Sequence, residues 1–243
     1  MNGSYNITLL ILSYLISVGG SLAALLLARK AIASQVASQK MMRMLSAAVA
    51  LGGVGIWAMH FIGMLAFSME GLPIHYDMLM TLGSLFIAIA IVYVGFLGIR
   101  HGKPGILKLI SMGAIVGFGV AGMHYAGMMA IEVAADIIWN QQIVILSIVI
   151  AIVAATVALS LAAYLTKFWH MVISAIVMGI AVCGMHYTGM YAASFIPNGQ
   201  HPGSAPVLEN IVFGGIIGFV AIGILGVLFI FNMGMEIEPE TVT

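Results

Sequence analysis

The stretch AGMHYAGMMA, residues 121–130, places a histidine and three methionines near the end of a long apolar run. The same pattern occurs in WAMHFIGMLA, residues 57–66, and in CGMHYTGMYA, residues 183–192. The shared sequence is Met-His-aromatic-x-Gly-Met, and an ionisable side chain inside a bilayer is costly enough to indicate a function. Three copies therefore predict one shared site, and the spacing between them predicts the fold.

The composition identifies an integral membrane protein. Of the 243 residues, 63% are hydrophobic and 7% are charged, and the mean hydropathy is +1.17, whereas about a quarter of the residues are charged in a soluble domain. The formal net charge is zero, so nothing indicates binding to nucleic acid. The single cysteine, Cys183, excludes an intrachain disulfide framework.

Seven apolar segments are long enough to cross a bilayer, which takes about 20 residues. They cover residues 5–28, 44–68, 78–99, 107–131, 142–166, 170–195 and 208–233. The first segment is followed, not preceded, by positive residues, so it is interpreted as a retained helix and not as a cleaved signal peptide. The predicted fold class is all-α, an integral membrane bundle of seven transmembrane helices.

The basic residues predict the orientation of this bundle. All eight lie in alternate connections: Arg29, Lys30, Lys40, Arg43, Arg100, Lys103, Lys108 and Lys167. The other connections carry acidic residues and no Lys or Arg. Because basic residues are enriched on the cytoplasmic side, we expect the N-terminus outside and the C-terminus inside. Residues 1–235 form the predicted membrane domain, and residues 236–243 a short acidic cytoplasmic tail.

The histidines reveal an internal repeat. His60, His124 and His186 are separated by 64 and 62 residues, which is the length of a helix pair with its connections. The fold is therefore predicted as three tandem helix hairpins plus one helix. Each motif lies on the second helix of its pair, about eight residues or roughly 12 Å from the outer end.

Small residues repeat with the motif. Glycines stand seven residues before each histidine (Gly53, Gly117 and Gly179) and three residues after it (Gly63, Gly127 and Gly189), and Ala58, Gly122 and Gly184 stand two before it. Small residues let membrane helices approach closely. Tight packing and a role in bringing the histidines together remain equally open.

Each histidine shares a helix face with the methionine four residues later, and the methionine just before it is rotated by about 100°. The candidate metal ligands are His60, His124, His186, Met64, Met128, Met190, Met59, Met123 and Met185. Thioether selects Cu(I), and imidazole suits copper, zinc and iron. No carboxylate repeats with the motif, which argues against a hard cation such as calcium or magnesium. Copper is favoured over zinc because Cu(I) carries a single charge, and over haem iron because three equivalent histidines suit a threefold site. Packing histidines are the alternative interpretation.

Other candidates do not repeat. Cys183 lies three residues before His186 and is either an extra ligand or a packing residue. His75 and His201 lie in outer connections, where they would collect metal near the entrance, whereas His101 and His170 are expected at the inner interface.

The residues Met59-His60-Phe61, Met123-His124-Tyr125 and Met185-His186-Tyr187-Thr188 resemble the MHYT domain, a bacterial membrane sensor module with seven helices. The resemblance covers about residues 1–235, and the first copy has phenylalanine in place of tyrosine. It implies a copper-binding module of the bacterial inner (cytoplasmic) membrane that senses a diatomic gas (oxygen, carbon monoxide or nitric oxide) or redox state. Lipid, a cytoplasmic signalling partner or a second copy of the chain are the expected partners.

Two other functions remain open at this point. Copper capture or transport fits the methionines, although the inner halves of the motif helices are mainly small and aliphatic. A zinc-dependent membrane hydrolase fits three histidines with an open position for water, with Ser68 and Asp77 as outer candidates. Neither of these two residues repeats. Because the sequence shows no catalytic output domain, an enzyme is the less expected of the functions.

Overall fold

The structure, a computed structural model, describes residues 3–101, 103–199, 207–208 and 210–237. Its membrane portion is helical, as predicted. The helices are α1 (Ile7–Ala33), α2 (Ala37–Leu65), α3 (Met78–Ile99), α4 (Ile106–Met128), α5 (Gln141–Tyr164), α6 (Phe168–Tyr191) and α7 (Asn210–Ile237).

Six of these helices, α1 to α6, are long and apolar enough to span a membrane, so a multi-pass membrane protein is confirmed. In α7 the side chains are described over residues 212–228 only, and a seventh span stays a prediction. His201 and most of the acidic tail, residues 238–243, lie outside the described residues.

The six spans form three hairpins that close into a ring. Helix α1 packs against α2, α3 against α4, and α5 against α6, which are the three predicted repeats. Between hairpins, α2 packs against α3, α4 against α5, and α6 against α1. Helix α7 packs outside this ring on α2. The second helix of each hairpin carries one motif, so the ring brings the three motifs towards each other.

Equivalent caps hold the motif end of each hairpin. Asn6, Asp77 and Asn140 cap α1, α3 and α5, and their side chains accept hydrogen bonds from backbone N–H groups of the first turn. The backbone N–H of each cap donates to a carbonyl just beyond the paired helix, at 2.8, 2.8 and 2.9 Å (Ala66, Ala130 and Ala192). These alanines lie six residues after each histidine, so the three hairpins end in the same register.

Short antiparallel strands extend the hairpins at this end, a feature that the sequence did not predict. They are β1 (Ser4–Tyr5), β2 (Phe67–Ser68), β3 (His75–Asp77), β4 (Ile131–Glu132), β5 (Ala135–Trp139), β6 (Ala193–Pro197) and β7 (Val207–Leu208). Strand β1 pairs with β2, β3 with β4, and β5 with β6, while β7 joins the other edge of β3. Each hairpin thus begins and ends in a strand pair.

The strands also correct the expected depth of the histidines. The motif helices end at Leu65, Met128 and Tyr191, three or four residues earlier than the predicted segments. Each histidine is therefore four or five residues from its helix end, about 6–8 Å, and not 12 Å. The residues beyond belong to β2, β4 and β6 because they pair with the strand that starts the same hairpin.

The first repeat differs from the others just before its histidine. Residues Val49–Ala58 of α2 form a π-helix, in which the Met59 N–H bonds to the Val54 carbonyl five residues back. The hydroxyl of Ser17 on α1 donates to the Gly55 carbonyl at 2.8 Å within this segment. Helices α4 and α6 are continuous α-helices over the equivalent residues. Such π-helical segments occur frequently at functional sites.

Candidate metal centre

The three motif histidines meet at the centre of the bundle. His60 on α2, His124 on α4 and His186 on α6 are 1%, 0% and 1% exposed. Their ligand atoms lie within 4.8 Å of one another, and they form the one such cluster of three or more His, Cys, Asp or Glu among the described residues. The predicted meeting of the three histidines at one depth is thus seen in the structure.

One nitrogen of each ring points to the common axis. The Nδ1 atoms are separated by 3.0 Å between His60 and His186, 3.1 Å between His60 and His124, and 3.4 Å between His124 and His186. The centre of a triangle with these sides lies about 1.8 Å from each nitrogen, and metal–imidazole bonds are about 2.0–2.1 Å long. An outward shift of each nitrogen by roughly 0.2 Å would make room for three bonds of normal length.

The rings are held in a threefold propeller. Ring centroids are 4.9, 4.9 and 5.2 Å apart, with interplanar angles of 79°, 88° and 87°. Each imidazole also makes an edge-to-face contact with the aromatic residue that follows it, with ring centroids 4.7 to 4.8 Å apart: Phe61, Tyr125 and Tyr187. The aromatic position of the motif therefore supports the imidazole from the side.

The glycine three residues after each histidine receives the imidazole of another helix. A Cβ at Gly127 would overlap Nε2 of His60, one at Gly189 would overlap Nε2 of His124, and one at Gly63 would overlap Nε2 of His186. The contacts run cyclically around the ring of hairpins. This set of glycines is part of the site, which resolves the question left open by the sequence.

The other two sets of small residues have different surroundings. A Cβ at Gly117 or Gly179 would overlap Ile152 or Val18 of a neighbouring helix, so these positions permit close helix packing. At Gly53 it would lie 3.2 Å from Ile224 of α7. At Gly122 and Gly184 a Cβ would meet no atom within 4 Å.

The six ring nitrogens of this cluster cannot satisfy one another. A neutral imidazole has one N–H and one lone pair, on different nitrogens. Three Nδ1 atoms therefore form at most one good hydrogen bond among themselves, and none of the three buried Nε2 atoms has a hydrogen-bond partner. Unsatisfied buried polar groups are rare in native proteins, and a bound ion is an explanation for the three crowded Nδ1 atoms. A cation on the axis would use all three Nδ1 lone pairs, so the residues fit a metal.

All six motif methionines are buried in the interior of the bundle. Those before the histidines, Met59, Met123 and Met185, are 1%, 0% and 2% exposed, and those after, Met64, Met128 and Met190, are 1%, 0% and 3% exposed. Cys183 is partly exposed and is not a member of the cluster. His75 lies on β3, at the outer end, and not at the site.

Three serines, which the sequence analysis did not single out, anchor the motif helices. Ser13, Ser84 and Ser147 are buried on the first helices of the hairpins, and each hydroxyl donates to the carbonyl three residues earlier. Because that hydrogen is used, the Tyr187 hydroxyl donates to Ser13 at 2.9 Å, and the Tyr125 hydroxyl donates to Ser147 at 2.7 Å.

The first repeat replaces the missing tyrosine hydroxyl. Phe61 has none, and Nε1 of Trp57, one turn earlier on α2, donates to Ser84 at 3.1 Å and to the Thr81 carbonyl at 3.0 Å. Each motif helix is thus bonded to the first helix of the next hairpin. Ser84 and Ser147 are 63 residues apart, so the repeat spacing was a signal that could have identified them.

We expect Tyr187→Phe to lower the free energy of unfolding by about 1 kcal/mol, because an interhelical hydrogen bond in a membrane protein contributes roughly 0.6 to 1.7 kcal/mol. The Tyr187→Phe/Ser13→Ala double variant should lose less than the sum of the single variants, since both remove the same bond. Tyr191→Phe, on the same helix and 78% exposed, is the control and should change little. Additive losses in a denaturant titration would contradict the assignment.

The MHYT family, described as "Bacterial signalling protein N terminal repeat", matches residues 53–111 and 117–175. These stretches contain the first two histidines of the cluster, and His186 lies beyond them. No solved structure matches the chain significantly.

Curated relatives are bacterial signalling proteins. The bifunctional diguanylate cyclase/cyclic di-GMP phosphodiesterase MucR of Pseudomonas aeruginosa is 36% identical over 209 residues, which is 83% of this chain and 30% of the relative. Signaling protein YkoW of Bacillus subtilis is 34% identical over 83% of this chain and 26% of its own length. Cyclic di-GMP phosphodiesterase NbdA of Pseudomonas aeruginosa is 35% identical over 58% of this chain and 18% of its own length. The chain spans less than a third of each of these relatives.

Proposed function

Since this chain belongs to the MHYT family of bacterial signalling proteins, we propose that it is a membrane sensor module that binds one copper ion between His60, His124 and His186. The observation that carries this proposal is the convergence of three buried Nδ1 atoms at 3.0 to 3.4 Å. Without a cation the three Nδ1 atoms can form at most one good hydrogen bond among themselves, whereas a bound cation would use all three Nδ1 lone pairs.

The donor set favours copper, and Cu(I) in particular. Imidazole and thioether suit Cu(I), while carboxylates and carbonyls suit harder ions. The six spanning helices contain no Asp or Glu, so the charge of a bound ion is not compensated nearby. A monovalent ion is therefore easier to bury than a divalent one. The six motif methionines are buried on the same helices and are the proposed source of any further ligand.

The walls below the site favour sensing over transport. Ile56, Val120 and Val182, each four residues before a histidine, line an apolar cavity in the inner half of the bundle. The lining residues include no histidine or carboxylate, and only Met178 and Met185 offer a thioether, so an ion that moved inward would lose its three imidazole ligands at a large desolvation cost. A zinc hydrolase is also disfavoured, because the spanning helices offer no carboxylate and the histidines are sealed from solvent.

A bound copper ion would supply an open coordination position and a change of oxidation state. We propose that a diatomic gas or redox state is the signal, on the basis of the family resemblance. The route from the site starts at His60, whose ring lies 4.7 Å from Phe61. The ring of Phe61 in turn packs on the ring of Phe213 of α7, with centroids 5.5 Å apart. A shift of α2 would therefore be passed to α7.

The proposed setting is the bacterial inner membrane, with the strands and the metal site at the outer side. All eight Lys and Arg lie at the opposite end of the hairpins, and basic residues mark the cytoplasmic side. In this orientation α7 is a seventh span that runs inward. A cytoplasmic signalling partner or a second copy of the chain would then receive the signal through α7.

Metal analysis tests this proposal. Purified protein in detergent, loaded anaerobically with Cu(I) and passed over a desalting column, should hold one copper per chain by inductively coupled plasma mass spectrometry. X-ray absorption should show nitrogen ligands at about 2.0 Å, with any sulfur ligand coming from the motif methionines. Folded protein that holds no metal, or that prefers zinc over copper in competition, would overturn the copper sensor.

A further inference from the structure

A large cavity lies on the inner side of the histidine cluster. Its volume is about 410 Å³, and residues from all six spanning helices line it. Ile56, Val120 and Val182 stand one helical turn below His60, His124 and His186 on the same helix faces. Met185, the residue before His186, also lines the cavity. The cavity therefore reaches the layer just beneath the proposed metal site.

The lining excludes water and polar ligands. Every lining residue is Ala, Val, Leu, Ile, Phe or Met. Water needs two to four polar partners to occupy a buried site, and apolar cavities stay dry. Protein interiors are close-packed with few voids larger than a water molecule, so a cavity of this size calls for an apolar occupant.

The cavity opens between two neighbouring helices. Four lining residues are exposed, and all of them belong to α5 and α6: Val149, Val153, Val157 and Val177, which are 41% to 58% exposed. Both helices are membrane spans, so this opening faces the hydrocarbon of the bilayer. Alanines at Ala154, Ala158 and Ala181 border it, and their small side chains leave the gap unfilled.

We propose that this cavity binds a single hydrocarbon chain from the bilayer, which enters between α5 and α6 and ends at Met185 below the histidines. The opening is continuous with the lipid-facing surface, and the lining contains no group that would hold a polar head. A diatomic molecule is too small to account for a cavity of about 410 Å³, because its size is similar to that of a water molecule, which takes about 30 Å³ in the liquid. The inference does not depend on whether the histidines bind metal.

Photochemical labelling tests the occupant. The full chain is reconstituted in nanodiscs with a phospholipid that carries a diazirine at the end of one acyl chain, and labelled peptides are mapped by mass spectrometry. We expect labels on Met178, Val182 and Met185 as well as on lipid-facing residues at mid-membrane depth such as Phe86, which is 71% exposed. Labels confined to lipid-facing residues would overturn the proposal. A parallel experiment with a free fatty acid bearing the same group distinguishes the two sources of the chain.

A filling variant provides the second arm. Ala155 lines the cavity and is 9% exposed, so Ala155→Phe should lower the labelling of Met185 by about tenfold and leave the labelling of Phe86 unchanged. Ile145→Phe is the matched control, because Ile145 lies on the same helix, is 60% exposed and does not line the cavity. If Ala155→Phe does not fold, Ala155→Leu replaces it. Equal labelling of Met185 in the filled and control variants would place the chain elsewhere and overturn the proposal.

Discussion

The triple variant His60→Ala/His124→Ala/His186→Ala should retain less than a tenth of the copper that wild type binds, because it removes all three converging Nδ1 atoms. Each single variant should weaken Cu(I) binding by about 100-fold or more, since even the loss of an outer-shell partner of a metal ligand costs 10- to 100-fold. The three single variants should have similar effects, because the three nitrogens are separated by nearly equal distances. Competition with a chromophoric Cu(I) chelator measures the affinities.

A control and a stability measurement make this test decisive. His75→Ala, on strand β3 and away from the cluster, should bind copper as wild type does. Copper should raise the melting temperature of wild type and of His75→Ala, since a ligand that binds only the folded state stabilises it. It should not do so for the triple variant. Retention of stoichiometric copper in a folded triple variant would show that the metal binds elsewhere.

The Gly127→Ala variant should lose the site although it adds only one methyl group to a helix. The new Cβ would overlap Nε2 of His60, so the imidazole, which is 1% exposed, would have to leave its position in the cluster. Overpacking of this kind costs about 1–3 kcal/mol. We expect a lower melting temperature and a Cu(I) affinity reduced to the level of the single histidine variants, measured by the same competition.

Gly122→Ala on the same helix is the matched control. A Cβ there meets no atom within 4 Å, and alanine is favoured over glycine within a helix by about 1 kcal/mol. This variant should therefore be as stable as wild type or more stable, and should keep its copper. Gly189→Ala and Gly184→Ala form a second such pair on α6. If both members of each pair behaved alike, the glycine contacts with the imidazoles would not matter for the site.

Much of the architecture follows from local features of the chain. Hydrophobic runs of about 20 residues predict spans in any context, because the bilayer thickness sets their length. The 64- and 62-residue spacings predicted the hairpins and the common depth of His60, His124 and His186. These predictions succeeded because composition and periodicity act over one helix or one hairpin.

The strands and the helix boundaries at the motif end of the hairpins depended on pairing between distant segments. Strand β5 pairs with β6 across a separation of about 60 residues, and neither has a turn signal that marks it as part of a hairpin. The predicted spans ran past the helix ends of the structure because the residues beyond those ends pair as strands with distant segments. The π-helix of Val49–Ala58 was also missed, since its Gly55 carbonyl is bonded by Ser17 of another helix.

The amino-acid sequence determined that three histidines lie in membrane helices at one depth, because hydropathy and repeat spacing are properties of the linear chain. Only the tertiary structure decided that their Nδ1 atoms converge, that each imidazole lies against a glycine of another helix, and that Trp57 supplies the bond that Phe61 cannot make. The physical reason is that the rotation and crossing of helices are set by packing among all the hairpins at once. A repeat specifies which residues are equivalent, but the closure of the ring specifies which atoms meet.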